Sequence, residues 1–399
     1  MSGAAPAAGL IGRGTPEFRR ASLALVIASL VIFGNLYAIH PLLPLISAHY
    51  QVSTLQASNA FTLTSLTLGL SLLVLGPLSD AFGRRAPLII GMTATSLLTL
   101  AMALVDNFTA LIVLRALLGI ALGVLPATAI AYLGDSMQRT ALISAVGLYI
   151  GGNTVGGAGG RLLGGFIADH LGLHAVFFII GGASLLGTLL VFLLLPPARA
   201  FQPQKLSLTG SLLTFASHLR NPALLPAFLV GGLSFMVFIN LYTFITFRLS
   251  AAPWQLGATS LGMLFLTYLA GTFSASLSGR VSARWGACQG MALGVMLFAL
   301  GCLVTLSDQL WLIIAGLVCN AFGFFLTHSL ANSWVNQHAS HGKASASSMY
   351  SVLYYLGAAV GIYYLSPFWR SGGWGAVIGG SLAILVVNLG LITRLRRRQ

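Results

Sequence analysis

This sequence predicts an all-α membrane protein of twelve transmembrane helices in two pseudo-symmetric six-helix halves. Three observations carry that expectation. Of 399 residues, 57% are hydrophobic and only 7% are charged, whereas a soluble domain carries about 25% charged residues. The apolar residues gather in twelve runs, each near the roughly 20 residues a spanning helix needs. Three stretches of the first half recur in order in the second.

The first run, 22–46, is long for a signal peptide and follows a tail containing Arg13, Arg19 and Arg20, so a resident helix is expected rather than a cleaved leader. Runs 55–77, 86–104, 109–133, 141–166 and 174–195 complete the first half. The last of them contains LLGTLLVFLLL (185–195), which does not alternate as a barrel strand would. Runs 222–248, 258–278, 287–306, 309–333, 344–366 and 374–394 form the second half. Four segments result: a cytosolic tail (1–21), a six-helix half (22–198), a cytosolic linker (199–221) and a second six-helix half (222–399). In the linker, Leu208, Leu212, Phe215 and Leu219 follow helical spacing opposite Lys205, Thr209 and Arg220. That pattern reads either as an amphipathic helix on the inner membrane surface or as a simple connection between the halves.

Charge sets the orientation. The chain has 20 Lys and Arg against 6 acids. With the N-terminus inside, 16 of the 20 bases fall in cytosolic segments: Arg13, Arg19, Arg20, Arg84, Arg85, Arg139, Arg199, Lys205, Arg220, Arg280, Arg284, Lys343, Arg394, Arg396, Arg397 and Arg398. Arg115, Arg161, Arg248 and Arg370 do not. The basic balance is therefore topogenic, which removes nucleic acid as a partner. Cys288, Cys302 and Cys319 lie in apolar runs and read as small hydrophobes.

The repeat is weak but ordered. Phe33-Gly34-Asn35-Leu36-Tyr37 returns as Phe238-Ile239-Asn240-Leu241-Tyr242, GPLSDAFG (76–83) as GRVSARWG (279–286), and Tyr149, Gly152 and Gly156 as Tyr354, Gly357 and Gly361. The offsets are 205, 203 and 205 residues. Duplicated halves around a midplane site are a transporter architecture.

Between the second and third runs stands Gly76-Pro77-Leu78-Ser79-Asp80-Ala81-Phe82-Gly83-Arg84-Arg85. Taken alone, Gly76 and Gly83 permit a tight turn and close helix approach, and Asp80 can pair with the bases or with a helix N-terminus. The stretch resembles the signature loop of the major facilitator superfamily, G-x-L-x-D-x-x-G-R-[RK], at every defining position. The resemblance implies the major facilitator fold and a cytosolic latch between the halves, built from Asp80 and Arg84 within this Gly76–Arg85 loop, with Asp135 as a partner of Arg84. Ala283 stands where the second half would carry its acid, so the latch is one-sided. A role confined to topology and loop geometry remains open to the same charges.

In the fourth run Arg115, Gly119 and Gly123 share one face and look like the family's second motif. Arg115 either faces the interior or snorkels to water at the outer end. The fifth run carries nine glycines between Gly147 and Gly165 and resembles the antiporter motif G-x-x-x-G-P-x-x-G-G, with Gly152 in the place of the proline. That stretch is most similar to the drug:proton antiporter (multidrug and sugar efflux) branch. Asn153, Gly157 and Arg161 share a face there and can line a cavity. No Asp or Glu lies inside a run, which leaves His40, Arg115 and Arg161 as coupling candidates. His40 has a free pKa suited to proton uptake, or is simply a hydrogen-bonded histidine near the interface; His328 is a weaker candidate. His338 and His341 have no acidic or thiol neighbours, so no metal site is expected. Asn35, Tyr37, Asn153, Asn240, Tyr242, Tyr354 and Tyr355 are the expected cavity residues, suiting a neutral or anionic solute.

The expected function is secondary active transport of small organic solutes across a bacterial inner membrane by alternating access, as proton-coupled efflux. Uptake by symport or uniport of a neutral or anionic solute is the alternative. Paired membrane aspartates, HExxH and a Ser–His arrangement are absent, which argues against a membrane enzyme, and no G-x-x-x-x-G-K-[ST] loop supports an ATP-driven pump. The expected partners are a small-molecule substrate, membrane lipid and protons. No cofactor is implied, and a monomer is the family expectation.

Overall fold

A computed structural model describes residues 9–340 and 342–397. The start of the 1–21 tail, His341 and Arg398 lie outside the described residues, as do the side chains of Leu208, Thr209 and Lys343.

Helix α1 (Pro16–Tyr37) is capped by Thr15, whose side chain accepts from the Phe18 N–H. It breaks at a 3-10 turn (His40–Leu42) before the short α2 (Leu43–His49), where Pro41 and Pro44 withhold amide donors from the helix ladder. α3 (Thr54–Phe82) starts in a capping box of Ser53 and Gln56. α4 (Arg85–Met102), the continuous pair α5 (Phe108–Leu122) and α6 (Val124–Ser136), α7 (Arg139–Leu171) and α8 (Leu173–Leu194) follow. After the linker and its helix α9 (Leu208–Arg220), the second half comprises α10 (Leu225–Ser250), α11 (Ala258–Met263) continuing through a 3-10 turn into α12 (Tyr268–Trp285), α13 (Ala287–Val304), α14 (Leu310–His338) and α15 (Lys343–Arg396). Eleven of these rods are long and apolar enough to cross a membrane. α15 leaves helical geometry at Gly372 and Gly373, the latter at φ +58°. It therefore divides into two span-length helices, which brings the count to twelve among the described residues. Among the described residues no strand occurs; the N-terminal tail makes a single bridge from Ile11 to Met137.

The two halves repeat their packing. α1 lies on α7 as α10 lies on the first part of α15; α3 lies on α5 as α12 lies on α14; and α4 lies on α8 as α13 lies on α15. The repeated glycines explain the first pairing, because small residues let helix backbones meet. A methyl group at Gly156 would stand 2.7 Å from Ser29 O, and one at Gly160 2.5 Å from Gly34 O. In the second half Gly357 meets Gly232, and Gly361 meets Met236 O. Gly83 and Gly286, also related by the repeat, end α3 and α12 at φ +100° and +86°. α10 is the most central span: 89% of its apolar window is buried, against 61% or less in the others.

We call the end with Gly83 and Gly286 the basic end, and the end with His40 the far end. The linker crosses the basic end of the first half, held by Tyr132 Oη to Pro196 O (2.8 Å), Ala200 N to Asp135 O (2.9 Å) and Gln204 N to Asp80 O (2.9 Å). The apolar stripe expected on α9 is not one uniform face. Phe215 and Leu219 pack into the bundle, whereas Leu212 is exposed with Leu213, because only the C-terminal part of α9 lies against other helices.

Gly159 has nothing within 4 Å of its missing side chain, which supplies a control for the close approach. Gly160→Ala is expected to lower the stability of the purified protein by about 1–3 kcal/mol, while Gly159→Ala leaves it unchanged or slightly higher. Equal thermal midpoints for the two variants would remove the α1–α7 approach as the reason for the glycine stripe.

Candidate functional site

Between the halves lies a cavity of about 160 Å³. α1 and α7 supply one wall, and α10, α12, α14 and the first part of α15 the other. Half of the lining is aromatic: Phe33, Tyr37, Phe235, Phe238, Phe265, Tyr268, Phe325 and Tyr354. Its polar members include Asn153, Thr154, Arg161 and Thr272. Leu269 and Thr272, near the middle of the α11–α12 span, both line the cavity and are exposed.

Arg161 is the one charged residue in this lining. It is 2% exposed, and its guanidinium carbon stands 3.9 Å from the Tyr37 ring centre, 4.2 Å from Phe265 and 4.9 Å from Tyr268. Tyr37 belongs to the first half and the other two rings to the second. Such faces attract a cation, by about 0.5–2 kcal/mol each. Nη1 donates to Gly157 O at 3.2 Å, while Nε and Nη2 have no partner.

The far end of the cavity is closed by contacts across the halves. His40 is fully buried, stacked on Phe61 and Phe265, with Nε2 3.2 Å from Thr243 Oγ1 on α10. Nearby, the Asp169 carboxylate on α7 accepts from the backbone N–H groups of Ala258 (2.9 Å) and Thr259 (2.8 Å) at the start of α11. The N-cap residue of α11 is Gly257, which makes no side-chain cap, so the other half supplies it. Gly165 of α7 packs on the Ala258 backbone beside this bond. Tyr363 Oη also donates to Asn59 Oδ1 at 2.9 Å, joining α15 to α3.

Of the expected cavity residues, Tyr37, Asn153 and Tyr354 line the chamber. Asn35, Asn240 and Tyr242 do not. Asn35 lies two residues from both Phe33 and Tyr37, hence about 200° away around the helix. It donates to Val31 O and Ser184 Oγ (both 2.7 Å) and accepts from Thr99 Oγ1, tying α1 to α4 and α8. Its repeat mate Asn240 donates to Met236 O (2.8 Å) and Ala358 O (2.9 Å), tying α10 to α15. Tyr242 sits behind the lining, covered by Phe265 and Tyr268, its hydroxyl meeting Thr267 and Leu317 O. Tyr355 is buried against α3 at Gly69.

Arg115 is also 2% exposed but faces away from the chamber, and it does not snorkel. Nε donates to Ala60 O (2.7 Å), Nη1 to Asn35 O (3.2 Å) and Nη2 to Leu36 O (3.3 Å). Asn35 and Leu36 are in the last turn of α1, whose carbonyls lack helical donors, so the cation caps a helix C-terminus. Gly119 and Gly123, one and two turns on, pack against Thr64, Thr67 and Ser71 of α3.

At the basic end, Arg84 binds Asp80 and, through Nε at 2.9 Å, Asp135; Nη1 also reaches Ser79 Oγ at 3.0 Å. Burial lowers the Arg84 pKa, but bonds to the two carboxylates and their charges outweigh it, holding the guanidinium above its ordinary value. All four side chains belong to the first half, and the guanidinium lies 5.5 Å from the Phe201 ring of the linker. Arg85 is not part of this cluster: it donates to Phe192 O at 2.7 Å at the end of α8. Gly83 makes the turn, whereas Gly76 has open space around it and mediates no close approach. His328 bonds Tyr350 Oη at 2.9 Å through Nδ1, next to but outside the lining.

Asp169, Phe265, Tyr268 and Thr243 were not among the expected site residues. Asp169 had a signal: an acid in the last turn of α7 opposes its own helix dipole and so serves another partner. The two aromatics and the threonine had none, since an apolar helix uses the same residues for ordinary packing.

Residues 25–362 match the sequence profile of the Major Facilitator Superfamily. The uncharacterized MFS-type transporter YybF of Bacillus subtilis is 36% identical over 387 residues, covering 97% of this chain and 96% of that protein. The inner membrane transport protein YnfM of Escherichia coli is 35% identical over 393 residues, covering 97% and 93%. In fold, the chain is similar to a bacterial homolog of the human lysosomal transporter Spinster, with a TM-score of 0.74 at 17% identity over 96% of this chain and 98% of that one.

The two buried arginines are expected to respond differently to removal. Arg115→Met leaves three acceptors without their donor, at about 1–3 kcal/mol for each buried group. Arg161→Met removes a charge that has ring faces but one hydrogen bond, and it should cost far less. Thermal unfolding of the two purified variants reads the difference; an equal or larger loss for Arg161→Met would contradict these contrasting environments.

Proposed function

This chain belongs to the Major Facilitator Superfamily and is a membrane transporter rather than an enzyme; on that premise we propose that it exports small organic solutes against an inward flow of protons by alternating access. The observation that carries the reading is the chamber lined by both halves and closed at the far end by cross-half bonds. Rocking the six-helix halves about this chamber parts the far-end contacts and opens each end in turn. We assign the basic end to the cytoplasm, because bases concentrate in its loops, and the membrane to the bacterial inner membrane, as the name of the Escherichia coli relative suggests.

For proton coupling, His40 is the group whose position suits the task. It stands in the seam that must part when the far end opens, and no acidic side chain lies along the chamber lining. Protonating the ring would add a charge beside Arg161 and Arg115 and favour parting the seam. Asp80 and Arg84, with Asp135, act at the other end, bracing the turn against which the linker lies. Gly152, standing where the antiporter motif has proline, favours uptake by symport or uniport as the second reading.

Everted membrane vesicles with an acid interior test direction and coupling together. Addition of a transported compound is expected to release protons, read by a pH-gradient dye, in wild type. Asp80→Asn should insert normally but transport at least about tenfold more slowly, since a charged hydrogen bond contributes about 1.5–3 kcal/mol. No proton release across a panel of amphiphilic drugs, sugars and organic anions, with the protein present, would turn the reading toward uptake or uniport.

His40→Ala should flatten the dependence of transport rate on pH while leaving solute binding in place. An unchanged pH profile in that variant removes His40 as the coupling group.

A further inference from the structure

We propose that the solute is an organic anion, and that its carboxylate is held by the Nε/Nη2 edge of Arg161. The inference rests on the transport reading above and names the substrate class of the same chamber. A guanidinium offers five donors, and inside a membrane an unpaired charge is among the costliest groups to keep. Here Nη1 is turned back to Gly157 O on its own helix. The two atoms left without partners, Nε and Nη2, carry the parallel N–H bonds that form one side of the planar fork. A carboxylate accepts two parallel bonds from that edge, which a hydroxyl or a single carbonyl oxygen cannot do.

The counter-charge is missing on the protein side. Among the described residues no ion pair includes Arg161, and no Asp or Glu lines the chamber. Arg115, buried equally in the same half, has all three nitrogens placed on carbonyl oxygens, so the fold satisfies an arginine where the role is structural. Around Arg161 the chain instead provides rings from both halves, which tolerate a cation without neutralising it. Two further polar atoms of the lining lack partners, Asn153 Oδ1 and Tyr268 Oη. The remaining lining is aromatic and small or aliphatic in about equal parts, suited to a flat or aliphatic body behind the carboxylate. Because Tyr37 lies on one half and Phe265 and Tyr268 on the other, an anion neutralising Arg161 also acts on the seam the halves share.

A matched series tests the charge: benzoate, benzamide and benzylamine share a ring and differ in the group presented. Binding of each, radiolabelled, is measured by equilibrium dialysis to the purified full-length protein in nanodiscs of zwitterionic lipid, so that no lipid headgroup supplies an anion. Wild type is expected to bind benzoate roughly tenfold or more tightly than benzamide and to reject benzylamine, as a charge-assisted fork requires. Arg161→Gln should abolish the preference, and Arg161→Lys, which keeps charge but not the fork, should retain only part of it. The wild-type ratios read the preference even if a variant fails to fold. Equal binding of benzoate and benzamide, a preference for benzylamine, no binding of any member, or an unchanged benzoate preference in Arg161→Gln would overturn the proposal. Export of a neutral or cationic compound in the vesicle assay would then leave the transport reading standing without it. Arg161-dependent benzoate binding with no movement of any compound would support the site and sink the transport reading instead.

Discussion

Inside the hydrocarbon core of a bilayer a polar group has no water to turn to, and each must find its partner within the protein. Most of this architecture follows from that constraint. Buried hydroxyls bond back to their own helix, as Thr99 does to Thr95 O and Thr243 to Ile239 O, or across to a neighbour, as Thr64 does to Arg115 O. Asn35 and Asn240 staple matching helix pairs in the two halves. Arg115 takes up the carbonyls that α1 leaves free where it breaks toward His40. Some buried groups have no partner, and among these are two nitrogens of Arg161, the one charged residue lining the chamber between the halves.

The same economy distributes the hydrogen bonds unequally within and between the halves. Within each half, glycine-mediated contact and amide staples join helices along their length, as between α1 and α7 or α10 and α15. Across the halves the hydrogen bonds are fewer and local, one histidine on a threonine, one carboxylate on a helix start and one tyrosine on an amide, beside close glycine contacts of α7 with α11 and of α3 with α15. Breaking such bonds exposes few groups, and each has an alternative partner in water once the far end opens. Asp169 illustrates the economy well, because both of its carboxylate oxygens accept from backbone N–H groups of α11 in the other half. At the basic end the corresponding charges are bonded within the first half, so Arg84 shapes its own turn and the path of the linker.

Much of the fold was legible because its cause is local. Span length, charge asymmetry and the repeated glycines are one-dimensional signals, and the match of Gly83 with Gly286 proved to be a match of positive-φ helix ends. The Gly372–Gly373 break, which divides the last long helix into two spans, falls between two of the expected runs. The site was less legible because its cause is not local. Asn35 and Tyr37 differ by two positions, yet one staples helices and the other lines the chamber. Arg115 and Arg161 look alike in sequence, each a lone arginine in an apolar helix. What separates them is whether a neighbouring helix ends nearby with carbonyls to offer, which only the packing decides. Arg85 and Gly76 show the reverse case: both fit the loop motif, but neither joins the charge cluster around Arg84.

Alternating access requires the halves to exchange closure between the two ends of the chamber, and spin-label distances read this directly. With Cys288, Cys302 and Cys319 replaced, one label pair at Leu171→Cys and Ser260→Cys reports the far end. A second pair at Ile143→Cys and Ala283→Cys reports the basic end. Double electron–electron resonance on the protein in nanodiscs, across a range of pH and with and without benzoate, should give two populations in each pair. As the far-end distance lengthens, the basic-end distance should shorten in the same samples. A single unchanging distance at each end, or distances that lengthen together, would contradict rocking about the Arg161 chamber.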